Sequence, residues 1–378
     1  MADAAGPIAM PKRRRRVAGW PARLVASRGF QRWAARFPLT RGLVRREGEA
    51  LFDLLAGFCH SQVLMALVQL EIPEKLMQGA QSAAALARVS DVPEDRMVIL
   101  LRAGVSLGLL KIRRGGAFAL TTRGAALVGV PGLAQMIRHH DVFYRDLADP
   151  VAFFRGDVET ELAGFWPYVF GGDMAPEVAQ TYSDLMAESQ VLVAEDTLDS
   201  VNLSGARHLM DVGGGTGVFA GSVGKAYPGV ELTLFDLPQV ADAAHARFAQ
   251  LGLSERAQVV SGSFRDGALP KGADAISLVR VLYDHADDTV ADLLATCFAA
   301  LPPGGMLLIS EPMTGGARPE RAGDVYFALY TLAMRTGRAR SIEEISDLVS
   351  AAGFNVTQTP KPRRVYVTRC LVAQKPTV

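Results

Sequence analysis

A run of five residues carries the clearest chemistry in the chain. Gly213-Gly-Gly-Thr-Gly217 follows Arg207-His-Leu-Met-Asp-Val212, a buried-strand pattern containing Asp211, and precedes Val218 to Ala226, which reads as a helix. Strand, glycine loop and helix is the arrangement with which doubly wound α/β folds hold phosphates and cofactors. At Gly213, Gly215 and Gly217 the backbone can approach a ligand that any side chain would obstruct. The loop is no dinucleotide fingerprint, because Val218 stands where the last glycine belongs, and it lacks the Gly-Lys-Ser/Thr of a P-loop. A second acid, Asp236, ends the strand pattern Leu232-Thr-Leu-Phe-Asp236, 23 residues after Gly213. A carboxylate there can accept two charge-assisted hydrogen bonds from ribose hydroxyls. With Leu237-Pro238 following, it reads alternatively as a helix cap.

The elements that must position these acids follow at regular intervals. Val259-Val260 begins a third strand ending at Ser263-Phe264, Ala273 to Leu282 makes a fourth, and Gly305 to Glu311 a fifth. Val356 to Thr359 and Val365 to Ala373 close the sheet as a final pair. Upstream, Leu51, Leu54, Leu55, Phe58, Val63 and Leu67 recur at helical spacing until Ile72-Pro73. Helices over 82–89 and 93–110 and a hairpin around Arg114-Gly115-Gly116 complete a winged-helix pattern. Its recognition helix offers only Arg96 and Arg102 and is otherwise apolar, which suits packing on protein rather than on DNA. Residues 133–200 read as helical, with one long helix from Met174 to Leu198. There His139 and His140 lie beside Phe143, Tyr144 and Trp166, either a packed core or a wall of a substrate pocket.

Composition narrows the function classes. The 378 residues suit two or three domains, and 49% hydrophobic with 21% charged residues gives enough apolar side chain for a large core. The net charge of +1 hides an asymmetry: residues 1–46 carry 12 Lys/Arg against Asp3 alone, so the remaining 332 residues are net −10. An acidic body is a poor binder of phosphate backbones. Cys59, Cys297 and Cys370 form no ligand spacing and no disulfide framework, so a reducing compartment, the cytoplasm, is expected. Asp53 and His60 interrupt the longest apolar stretch, and no membrane span is expected. Residues 12–37 mix arginines with Trp20, Leu24, Phe30, Trp33 and Phe37. They read either as a solvated arm, broken by Pro21, Gly29 and Pro38, or as a basic stretch lying on an anionic membrane surface.

Five motifs together resemble the cation-independent small-molecule O-methyltransferases: Asp211-Val-Gly-Gly-Gly-Thr-Gly217, Phe235-Asp236-Leu-Pro238, Arg280-Val-Leu-Tyr-Asp284, Leu301-Pro-Pro-Gly-Gly305 and Ser310-Glu-Pro-Met313. The resemblance covers about residues 47–375. It implies an α/β class I methyltransferase sheet, doubly wound and Rossmann-like, with an N-terminal helical winged-helix domain that dimerises. The expected division is a basic arm over 1–46, the dimerisation domain over 47–130, a helical connector and pocket wall over 131–204 and the cofactor domain over 205–378. It further implies a homodimer that binds S-adenosyl-L-methionine, releases S-adenosyl-L-homocysteine and needs no metal. Carried over residue by residue, Asp211, Gly213, Gly215 and Gly217 pass the methionine part of the cofactor and Asp236 with Leu237 holds the ribose. Ser263 and Phe264 lie against the adenine, with Arg280 nearby.

Asp141-Val-Phe-Tyr-Arg-Asp-Leu-Ala-Asp-Pro150, Phe165-Trp-Pro-Tyr168, Gly323-Asp-Val-Tyr-Phe327 and Thr331 to Arg340 are similar to one branch of the family. That branch methylates the tertiary 1-hydroxyl of acyclic hydroxycarotenoids; a sister branch methylates a bacteriochlorophyll ring carbon. His140, Phe143, Tyr326 and Met334 are the substrate-contacting residues this implies, and Tyr283, His285 and Glu311 the catalytic ones. The phenol-methylating members carry His-Asp-Trp where this chain has Tyr283-Asp284-His285, so their general-base histidine is Tyr283. Glu311 matches one of two flanking acids; Ala339 occupies the place of the second, and Ser263 that of the acid before the adenine contact. An imidazole of pKa about 6.5 can help remove a phenolic proton of pKa about 10, and a neutral tyrosine cannot. An aliphatic alcohol, whose proton leaves late, suits that loss, and catalysis then rests on in-line alignment. Tyr283 would position the hydroxyl, with His285 or His140 accepting the proton; His285 reads equally as a structural residue in the tryptophan's place. A same-fold enzyme for a tetrapyrrole or another hydroxylated metabolite and a winged-helix regulator are the other readings.

Overall fold

The computed structural model describes residues 19–165 and 176–377, with backbone alone at 165 and over 176–187. Lys12 to Arg16, Trp166, Tyr168 and Met174 lie outside the described residues or side chains. The chain divides into two compact units, residues 1–66 and 67–378.

The first unit is helical. α1 (Trp20–Val25) and α2 (Arg28–Arg36) replace the broken arm expected from Pro21 and Gly29. Pro21 lies in the first turn of α1, where its missing N–H leaves nothing unpaired, and Gly29 follows the Ser27 cap, whose Oγ accepts from Phe30 N at 3.3 Å. α3 (Arg41–Gln69) begins six residues before the expected Glu47 and runs past the boundary into the second unit. It leaves Leu51, Leu54, Leu55 and Phe58 67–74% exposed, so this apolar face has no cover among the described residues. By length and composition alone α3 is apolar enough to cross a membrane despite Asp53 and His60.

In the second unit, α4 (Ile72–Met77) starts at the Ile72-Pro73 pair that the sequence pattern treats as a stop. α5 (Ala83–Val89), α6 (Glu94–Ser106), the hairpin β1 (Leu110–Ile112) and β2 (Phe118–Leu120), and α7 (Thr122–Gly129) complete the winged-helix part. α8 (Leu133–Asp146), α9 (Pro150–Arg155) and a helix over Pro176–Ser200 lead to the sheet.

Seven strands form that sheet in the order β5-β4-β3-β6-β7-β9-β8: β3 (His208–Val212), β4 (Glu231–Asp236), β5 (Ala257–Ser261), β6 (Ala275–Val279), β7 (Met306–Glu311), β8 (Asn355–Gln358) and β9 (Arg369–Gln374). The first five run parallel, and β9 and β8 are antiparallel. Met210, Val212, Ile276 and Leu278 pack on one face, and Leu209, Leu232 and Leu234 on the other, so both faces are buried as a parallel sheet requires. The order reverses about β3, and the crevice at the carboxyl ends of β3, β4 and β6 is the expected ligand site. The fourth strand is shorter than the expected Ala273 to Leu282. Arg280 takes φ +57°, which turns the chain out of the ladder into a 3-10 turn over Leu282–Asp284.

Candidate active site

The glycine loop is shaped by positive φ. Gly213 at +70° and Gly215 at +56° adopt backbone that side-chain-bearing residues rarely hold, and a Cβ on Gly213 would meet Val281 Cγ2 at 2.8 Å. Gly215 N donates to Asp236 Oδ2 at 2.6 Å and Leu237 N to Oδ1 at 2.7 Å. The acid is thereby fixed at the end of β4, against the loop. Beneath lies Asp211, fully buried, with Oδ1 accepting from Ser277 Oγ at 2.7 Å and the Ala220 N–H also favouring its charged form. Burial pushes the Asp211 carboxyl up to about 7 and raises Asp236 too. A glycine loop with open space at Gly215 and a fixed acid at the end of the next strand fit a cofactor carrying a ribose.

Phe264 and His285 lie edge to face at 5.3 Å on the far side of this crevice, and Arg265 Nη2 lies 3.1 Å from His285 Nδ1. Ser263 Oγ accepts from Arg265 N at 3.1 Å. His285 therefore sits with the residues expected against the adenine, and burial, then Arg265 and Arg340, lowers its pKa to about 4.

The turn that carries Tyr283 is held from two sides. Glu311 Oε1 accepts from Val281 N at 2.8 Å and Leu282 N at 2.7 Å. Arg340, 2% exposed, donates from Nη1 to Leu282 O and from Nη2 to His285 O, both at 2.8 Å. Glu311 thus acts on the site through the turn. Tyr283 is buried, and desolvation raises its phenol far above the usual tyrosine range, so it stays protonated. Arg280, expected near the adenine, donates from Nη2 to Tyr283 Oη at 3.2 Å and from Nη1 to Ser189 Oγ at 2.9 Å.

Tyr283, Phe143 and Met334 pack in one apolar cluster with Tyr330, Phe153 and Leu162. Beside it a π-helix over Arg321–Phe327 presents Tyr326, whose Oη is 2.7 Å from His140 Nε2, and Tyr330 Oη is 3.0 Å from His139 Nε2. π-Helical turns are rare and concentrate at functional sites. His140 and Tyr326 therefore meet each other and join, through Tyr330, the cluster that holds Phe143 and Met334, while His285 contacts Phe264 and Arg265. Arg340, Ser189 and Tyr330 are the neighbours of these residues that sequence reasoning missed. Of these only Tyr330 had a local signal, its position four residues after Tyr326.

Buried carboxyls make stability depend on pH. Burial pushes Glu311 up to about 7, above its unfolded value, so the folded state holds the proton more tightly. Its contribution is complete below the unfolded pKa of about 4.3 and is lost as pH rises through about 7. The cofactor-free protein should lose more melting temperature between about pH 5 and pH 8 than Glu311→Gln does. Parallel slopes for the two proteins would contradict this.

Residues 144–355 match the O-methyltransferase domain, and residues 52–129 match the O-methyltransferase dimerisation domain. The chain belongs to the O-methyltransferase family. It is 55% identical over 356 residues to a demethylspheroidene O-methyltransferase of Cereibacter sphaeroides, covering 94% of each chain. A demethylspheroidene O-methyltransferase of Rhodobacter capsulatus is 51% identical, over 93% of this chain and 88% of its own. Human N-acetylserotonin methyltransferase in complex with SAM superposes with a TM-score of 0.72 at 26% identity, over 88% of this chain and 98% of that one. The enzyme is an S-adenosylmethionine-dependent O-methyltransferase with the class I fold, and the dimerisation domain includes Leu54, Leu55 and Phe58 of the exposed stripe of α3.

Proposed function

We propose that this enzyme methylates the tertiary 1-hydroxyl of an acyclic hydroxycarotenoid of the demethylspheroidene type, giving a methoxy carotenoid. The observation that carries this is the 55% identity, across nearly the whole chain, to an enzyme named for that acceptor. The chemistry of the site agrees. S-adenosylmethionine supplies a methyl group made electrophilic by its sulfonium. Asp211, the loop of Gly213, Gly215 and Gly217, Asp236 and Leu237 would hold its methionine and ribose parts, with Ser263 and Phe264 against the adenine. Tyr283, kept protonated by burial, orients the acceptor hydroxyl and does not ionise it. Phe143, Met334 and Tyr330 give the apolar wall that a polyene requires. Incubation with S-adenosylmethionine and either a 1-hydroxycarotenoid or a bacteriochlorophyll precursor, read by mass, tests the proposal. A methylated carotenoid alone supports it, and a methylated tetrapyrrole alone replaces it.

The exposed α3 stripe suits a second copy of the chain, giving a homodimer. An acceptor dissolved in lipid also gives the first unit a use. Arg28, Arg32 and Arg36 share one face of α2, next to exposed Trp33 and Phe37, which suits an anionic membrane surface. Arg28→Glu, Arg32→Glu and Arg36→Glu together should lower sedimentation with phosphatidylglycerol vesicles at least tenfold, since each surface arginine contributes roughly 1 kcal/mol. Unchanged sedimentation would leave the arm without this role.

A further inference from the structure

With Tyr283 in the place of the usual base, the acceptor proton needs another destination. Three imidazoles stand near the site. His285 is turned to Arg265 and Phe264, away from the tyrosine cluster. His139 and His140 project from α8 toward Tyr330 and Tyr326. The His140 contact is the shorter, at 2.7 Å, and its ring meets Tyr326 edge to face at 5.4 Å. Tyr326 stacks on Tyr330 at 6.0 Å, and Tyr330 packs in the cluster that contains Tyr283. Both His140 and Tyr326 are half-buried, so neither ring is sealed in the protein interior.

We infer that the acceptor's hydroxyl proton leaves through Tyr326 to His140. This deepens the reading of the enzyme as an alcohol methyltransferase and rests on it. As the new oxygen–methyl bond forms, the methyl–sulfur bond breaks and its electron pair stays on sulfur, leaving a neutral thioether. The acceptor O–H bond then breaks and its proton passes to Tyr326 Oη, while the proton of Tyr326 passes to His140 Nε2. The products are the ether, the thioether and an imidazolium, so the single positive charge is conserved.

The surroundings suit this role. His139 and Tyr144 on α8, Tyr326 and Tyr330 opposite, and Arg280, whose charge acts on Tyr326, are the titratable groups around the ring. Burial, then His139, lowers His140 to about 4, so it stands neutral at physiological pH. A base this weak suffices, because an alkylated oxonium is a far stronger acid than an imidazolium.

The alternative is a clamp that only ties α8 to the π-helix. Gln can keep a hydrogen bond to Tyr326 but cannot take the proton, so His140→Gln separates the two. We expect kcat for the hydroxycarotenoid to fall about 100-fold, with KM and the calorimetric Kd for S-adenosylhomocysteine within about threefold. Added imidazole should restore part of the activity of His140→Gly, and Tyr326→Phe should lose at least about tenfold without rescue. A His140→Gln enzyme with kcat within about threefold of wild type, or a loss confined to KM or Kd, overturns the inference. An unchanged Tyr326→Phe enzyme overturns the relay. A wild type that methylates no aliphatic alcohol overturns the parent reading as well.

Discussion

Asp236→Ala is expected to weaken S-adenosylhomocysteine binding by at least about 100-fold, measured by calorimetry. The carboxylate is set by Gly215 N at 2.6 Å and Leu237 N at 2.7 Å, and each oxygen retains a lone pair for a ribose hydroxyl. Hydrogen bonds to a charged group contribute roughly 1.5–3 kcal/mol each, and two of them give the expected factor. Alanine also orphans two backbone N–H groups, so the loop should loosen and the cofactor-free melting temperature fall. Asp236→Asn keeps one acceptor and should lie between the two. Binding by the alanine variant within threefold of wild type would remove Asp236 from the cofactor site.

Arg340→Met should destabilise the second unit strongly. The guanidinium is buried and bonded to Leu282 O, His285 O and Asp287 Oδ1, each at 2.8 Å. Removing one partner of a buried ion pair costs roughly 3–5 kcal/mol. Asp287 is half-exposed and can regain water, which places the loss near about 3 kcal/mol. The same change frees the turn that presents Tyr283, so kcat should fall with stability. Urea unfolding should show a lower midpoint at unchanged slope, and Arg340→Lys should recover little, because an ammonium cannot span three acceptors in one plane. A midpoint shift worth under about 1 kcal/mol would show that the carbonyls find other donors.

The cofactor loop was legible because its information is local. A buried strand, three glycines and an acid one strand later lie within the 29 residues from His208 to Asp236, and each constraint acts between chain neighbours. The same held for the parallel strands, whose apolar runs are bounded by turns. Where the local rule was incomplete, the boundaries moved. Pro21 and Pro73 begin helices, because the first turn leaves their missing N–H unneeded, and Arg280 ends β6 three residues early.

The residues expected to contact the substrate were legible only as a set of residue types. His140 and Tyr326 are 186 residues apart, and Arg340 reaches a carbonyl 58 residues upstream. No periodicity encodes such pairs, since they depend on how whole helices dock. The direction of the Arg280 side chain, the separation of His285 from the tyrosines and the uncovered stripe on α3 are decisions of packing for the same reason. The sequence by itself determined the sheet and the glycine loop with Asp236 one strand later, all carried by short-range patterns. Tertiary structure alone decided which imidazole meets a tyrosine, because that contact is fixed by burial of the helices around it and not by the residues beside it in the chain.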